Sequence, residues 1–188
     1  MAWLERRFGA DVEWRTFDLH PEYPPEGFPR KLLEQRYGSH FTQSVYAMIE
    51  EAGLPVSREI EIVPNGRKAL LLAELARDSG RFDAFREAVF AAYWARGENI
   101  GDDAVLERLA REAGLDEHEA RAELVEQQRF DRLQESTAEM LELGAGGVPA
   151  WVIDRRVLVP GAQPHEVFER VLARLGHEPR DGVGSRDR

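Results

Sequence analysis

The stretch Gly146-Gly147-Val148-Pro149-Ala150-Trp151-Val152-Ile153-Asp154 constrains this chain more than any other. A proline opens a short apolar run directly behind two glycines and a helical pattern. The X-Pro bond is the one peptide bond that adopts cis at modest cost, and folded proteins keep cis-proline in tight turns. Pro149 is therefore a candidate cis-proline, the alternative being a strand-leading trans-proline. At the first position of a strand, proline brings no N–H to the ladder and leaves that edge free for a ligand. Ala150–Ile153 and Val157–Val159 read as two short strands, with a hairpin turn at Asp154-Arg155-Arg156. Gly161-Ala162-Gln163-Pro164 leads into a final helix whose Val167, Phe168, Val171, Leu172 and Leu175 face inward.

The pattern upstream differs. Residues 2–8 read as the end of a helix stopped by Gly9, and Val12, Trp14 and Thr16 alternate with polar neighbours as a strand to about Leu19. Pro21, Pro24 and Pro25 make residues 20–27 a loop. Helical periodicity then dominates to about Glu142, punctuated by Gly38, Gly53, Gly80, Gly97 and Gly114. Glu59–Val63 alternates, and reads as a short strand or an extended connection. Asp102 or Asp103, and Asp116, are candidate helix caps. A break is expected near Gln127-Gln128.

Composition narrows the chemistry. A net charge of -10 repels phosphate backbones and anionic lipid, so neither nucleic acid nor membrane is expected as a partner. No apolar run reaches membrane-spanning length, and the first residues lack a basic-then-apolar signal pattern; a cytoplasmic location is the expectation. The chain has no cysteine, which excludes disulfides, thiolate catalysis and thiolate metal sites among its own residues. His20, His40, His118, His165 and His177 include no metal-binding pair on a helix, and no metal or cofactor is expected. Gly144-Ala145-Gly146-Gly147 lies between helix and strand, the reverse of a dinucleotide fingerprint. Gly66-Arg67-Lys68 lacks the glycine-rich lead-in of a phosphate loop. Phe82, Phe85, Phe90, Tyr93 and Trp94 form a helical stripe that reads first as core, and second as a wall over a groove.

Four stretches together carry a family resemblance: residues 14–21 with Pro24-Pro25-Glu26-Gly27; Asn65-Gly66-Arg67-Lys68-Ala69-Leu70; Ala113-Gly114-Leu115-Asp116; and residues 147–154 continuing to Gly161-Ala162-Gln163-Pro164. On these the chain resembles the FrnE-like branch of the DsbA family. That branch is similar to 2-hydroxychromene-2-carboxylate isomerases and kappa-class glutathione transferases. The resemblance implies an α/β, thioredoxin-like fold with an all-helical insertion. It divides the chain into a first thioredoxin-like part (1–27), the insertion (28–143), a second thioredoxin-like part (144–176) and a disordered tail (177–188).

The resemblance also implies a first strand and a Cys-Pro-x-Cys-type motif ahead of residue 1, both missing from this chain. Either Met1 is not the natural start or the gene is shortened. A missing central strand would leave buried backbone groups unpaired at about 1–3 kcal/mol each. Glu59–Val63, or a strand from a second copy in a homodimer, would be candidates to fill the gap. No residue here is expected to be catalytic. Gly147, Val148 and Pro149 are expected to bind substrate backbone, with His20, Gly161 and Gln163 near the groove; Gly146 stands where the family often has threonine. The implied function is that of a thiol–disulfide oxidoreductase homologue, inactive without cysteine, whose partners would be protein or peptide thiols and disulfides or glutathione. The alternatives are a glutathione-dependent isomerase or transferase, and a non-catalytic peptide- or partner-binding module.

Overall fold

The computed structural model describes residues 2–180; residues 181–188, most of the tail expected from the sequence, lie outside the described residues. Two compact units make up the chain. One takes residues up to 15 together with those from 138 onward, and the other takes residues 16–137.

In the first unit, α1 (Ala2–Phe8) and α9 (His165–Leu175) pack on an antiparallel hairpin of β3 (Ala150–Ile153) and β4 (Val157–Pro160). The register sets Trp151 opposite Val159 and Ile153 opposite Val157. Side chains alternate across a strand, so these four residues share a face. They close a core with Trp3, Phe8, Phe168 and Val171. Trp151 meets Phe168 edge-on at 5.0 Å, and Trp3 stacks on His165 at 4.0 Å. The hairpin turns through Asp154 and Arg155, both with left-handed φ (52° and 55°), as a type I′ turn requires. Neither is glycine. Asp154 Oδ2 is held 2.6 Å from His177 Nε2, which ties the turn to the end of α9.

In the second unit the first ladder is only two residues long. β1 (Phe28–Pro29) pairs antiparallel with β2 (Ile62–Val63). Gly27 makes this approach possible: its φ is +80°, and a Cβ there would stand 2.7 Å from the Val63 carbonyl oxygen. The helices follow as α2 (Arg30–Tyr37), α3 (His40–Glu51), α4 (Arg67–Asp78) and α5 (Phe82–Phe90), then a π-helical turn (Ala91–Ala95), α6 (Asp103–Glu112) and α7 (Glu117–Glu126). Asp102 and Asp116 cap α6 and α7, each accepting two backbone N–H bonds. Gln127 ends α7 in the left-handed region, and α8 (Phe130–Glu142) starts three residues later. Leu72, Leu75, Phe85, Leu106, Leu109 and Leu124 form the core.

Two expectations are corrected. Residues 12–19 alternate as a strand does, yet form no ladder among the described residues. From Thr16 onward, side chains supply their partners. Ser136 Oγ donates to the Thr16 carbonyl (2.8 Å), Asp18 N–H donates to Thr137 Oγ1 (3.0 Å), and Thr16 Oγ1 donates to Glu74 (2.7 Å). The alternating Glu59–Val63 stretch is a strand only at its last two residues, Ile62 and Val63, which pair with β1.

Buried charge in this unit is paired. Glu74, 4% exposed, lies 3.1 Å from Arg132 Nε; Glu123, 1% exposed, accepts from Arg129 Nη1 at 2.6 Å. Both arginines also reach Asp78. The Arg132 hydrogen bond, joined by that of Arg129, holds the Asp78 carboxyl below its ordinary value. A depressed folded-state pKa stabilises above the unfolded value and loses its effect as pH falls through the folded one. Asp78→Asn is therefore expected to lower the urea midpoint at neutral pH. The gap from wild type should narrow as pH falls below about 4, the ordinary aspartate value.

Candidate functional site

The site grows from the register of the hairpin. Gly161 N–H donates to the Pro149 carbonyl at 2.8 Å, one rung beyond the Ala150–Pro160 pair. In an antiparallel ladder, alternate residues turn their backbone groups towards and away from the partner. With Pro149, Trp151 and Ile153 turned towards β4, Ala150 and Val152 turn their N–H and C=O to the other edge. No described strand pairs with that edge. The Val148–Pro149 peptide bond is cis. Val148 is 56% exposed, and its backbone makes no hydrogen bond among the described residues.

Three hydrogen bonds hold the far wall. Besides Gly161 N–H, the Trp151 indole donates to the Gly161 carbonyl at 3.2 Å, and Gln163 Nε2 donates to the Pro160 carbonyl at 2.8 Å. Gly161 has φ +76°, a conformation that costs a side-chain-bearing residue about 1–2 kcal/mol. Ala145, Gly146, Gly147, Val148, Pro149 and Ala150 line a depression of about 310 Å³ with Pro160 and Gly161. A Cβ added at Gly146 or Gly147 would meet nothing within 4 Å, so these glycines leave the floor open.

Of the residues singled out in the sequence, the first unit brings together Gly147, Val148, Pro149, Gly161 and Gln163. His20 belongs to the other unit. There it lies 3.1 Å from Glu22 Oε1 and stacks on Tyr23 at 4.3 Å. The Glu22 carboxyl sits below its ordinary value, first through a backbone hydrogen bond and then through His20. Trp151 was legible only as a strand residue; an indole two positions after the proline was the available signal for its role in holding Gly161. The aromatic stripe divides: Phe85 is core, Phe90 is 54% exposed, and Arg77 covers Phe82 at 4.3 Å. Among the described residues no group of three His, Asp or Glu is placed to hold a metal ion, and no helix is long and apolar enough to cross a membrane.

Residues 2–173 match the DSBA-like thioredoxin domain. The chain belongs to this family. It is 26% identical over 167 residues to the uncharacterized protein YwbO of Bacillus subtilis, covering 87% of this chain and 82% of that one. The crystal structure of a probable DsbA oxidoreductase from Streptomyces coelicolor aligns with a TM-score of 0.82 at 30% identity, over 94% of this chain and 81% of the other. A 2-hydroxychromene-2-carboxylate isomerase aligns with a TM-score of 0.70 at 17% identity, over 93% and 86% of the two chains, a likeness of fold alone. The fold of this DSBA-like chain is accordingly thioredoxin-like, mostly helical with small sheets.

Gly161→Ala is expected to cost about 1–2 kcal/mol in urea unfolding. The cost comes from the backbone, since the nearest atom to the new methyl would be Gln163 Nε2 at an ordinary 3.6 Å. A loss under 0.3 kcal/mol (roughly the noise of such measurements) would show that the left-handed turn is not required.

Proposed function

We propose that this DSBA-like chain binds the extended backbone of a peptide thiol or disulfide, or of glutathione, along Gly147, Val148 and Pro149. One observation carries the reading. The exposed Val148 stands beside a rigidly held Pro149–Gly161 rung, with its N–H and C=O unspent among the described residues. An added strand gains affinity from main-chain hydrogen bonds and selectivity from alternate side chains. The open floor at Gly146 and Gly147 leaves room for such a side chain. Within the family, the resemblance carried by the four sequence stretches supports the FrnE-like branch.

Thiol–disulfide exchange starts from a thiolate that attacks a disulfide sulfur and displaces a second thiolate. This chain has no cysteine to supply either. Residues 1–188 therefore contribute the holding of the substrate, and the sulfurs of an exchange lie outside them.

Two measurements test this. The purified chain is expected to leave the rate of reduction of a model disulfide by dithiothreitol unchanged; catalytic turnover would reject the holding role. In amide NMR, titration with oxidised glutathione or a short extended peptide disulfide is expected to shift Gly147, Val148, Ala150 and Gly161. Gly147→Leu, whose Cβ would meet no atom within 4 Å, should abolish those shifts while leaving the unfolding midpoint near wild type. Equal binding by the variant would remove this face from the function.

A further inference from the structure

Residues 177–180 leave the end of α9 and come back to the end of α1, within the first unit. Gly176 sets the reversal, with φ +88°. Its N–H donates to the Ala173 carbonyl at 3.1 Å, and the His177 N–H donates to the Leu172 carbonyl at 3.0 Å. A left-handed residue with such bonds is a common way to end a helix and turn the chain. Beyond it the segment is fastened at both ends. His177 Nε2 lies 2.6 Å from Asp154 Oδ2 in the hairpin turn. The Arg180 N–H donates to the Arg7 carbonyl at 2.7 Å. The Arg180 guanidinium lies against Gly9, where a Cβ would overlap it.

The second fastening falls on the C-terminal end of α1. A helix leaves its last carbonyls without intrahelical partners and carries partial negative charge there. Arg180 brings one of those carbonyls a donor and sets a cation beside them. Help of this kind matters for α1, because seven residues are too few for a helix to persist alone. Its other support runs along α9: Trp3 stacks on His165 at 4.0 Å, and Arg7 Nε lies 3.4 Å from Glu169 Oε1. The returning segment is held differently from that core. His177, Glu178, Pro179 and Arg180 are all exposed, so polar contacts rather than burial keep it in place. Exposed hydrogen bonds and ion pairs are weak enough to open one by one. α1 in turn backs the hairpin: Trp3 belongs to the same core as Trp151, whose indole holds Gly161.

We propose that residues 177–180 are a releasable clasp on α1. Closed, they cap α1 through Arg180 and anchor on the hairpin turn through His177. Open, they let α1 loosen while the hairpin stays folded. The clasp thereby sets the local stability of the helix behind the Pro149 face, and it does not depend on what that face binds.

The test is native-state amide hydrogen exchange, followed by NMR on the full chain and on three variants of it. Arg180→Pro removes both the N–H and the guanidinium. It is expected to speed exchange at Arg7, Phe8 and Gly9 about tenfold, the loss of one hydrogen bond, and to leave Trp151 and Val159 unchanged. Arg180→Ala, which keeps the N–H, should give a smaller acceleration at the same three amides. His177→Ala should speed them several-fold through the other fastening. The double variant His177→Ala with Arg180→Pro should exchange no faster than Arg180→Pro alone, because one clasp is opened in both. Unchanged exchange at Arg7, Phe8 and Gly9 in Arg180→Pro would overturn the proposal. Equal acceleration at Trp151 and Val159 would make the segment part of the cooperative core and overturn it as well. Fully additive effects in the double variant would replace one clasp by two unrelated contacts.

Discussion

The hydrogen bond from Gly161 N–H to the Pro149 carbonyl fixes where the β3–β4 ladder begins, and both the core of the first unit and its exposed edge follow from that position. Because side chains alternate with period two, a slip of one residue would exchange the faces of the whole strand. In the observed register Trp151, Ile153, Val157 and Val159 meet Trp3 and Phe168. The same register turns the backbone of Ala150 and Val152 away from β4. Burial of the indole thus selects which amides face outward. Trp151 then returns the favour locally, since its Nε1–H holds the Gly161 carbonyl and so steadies the rung from which the register starts.

The parts of the fold legible in the sequence were those set by local chemistry. Asp102 and Asp116 announce α6 and α7 because a short carboxylate before an apolar period can accept the first free N–H groups. The hairpin was legible from two apolar runs around Asp154-Arg155-Arg156, and the site from the proline that precedes them. What escaped depends on contacts distant in sequence. The alternation of residues 12–19 has the period of a strand. A strand also needs a partner, and at Thr16 and Asp18 side chains of α4 and α8 occupy the backbone and hydroxyl groups instead. The Phe28–Pro29 pairing was hidden because two residues carry no period. Its enabling signal, Gly27, reads as one more turn residue until the Val63 carbonyl is seen against it.

Contrast within the second unit sets Arg30 apart from the buried carboxylates. Glu74 and Glu123 are more deeply buried than Arg30, yet each has a cationic partner and at least one further donor. Pairing of this kind lets a helical core carry charge without a large desolvation penalty. Arg30 has a phenol in place of a carboxylate, and Tyr46 has no partner for its hydroxyl. In a chain with ten more acidic than basic side chains, a carboxylate partner for one arginine would be easy to place. A neutral phenol beside it leaves the guanidinium without an ion-pair partner among the described residues. At the Pro149 face the unspent groups are instead the main-chain N–H and C=O of the free β3 edge, and they suit an extended backbone, which carries donors and acceptors in alternation.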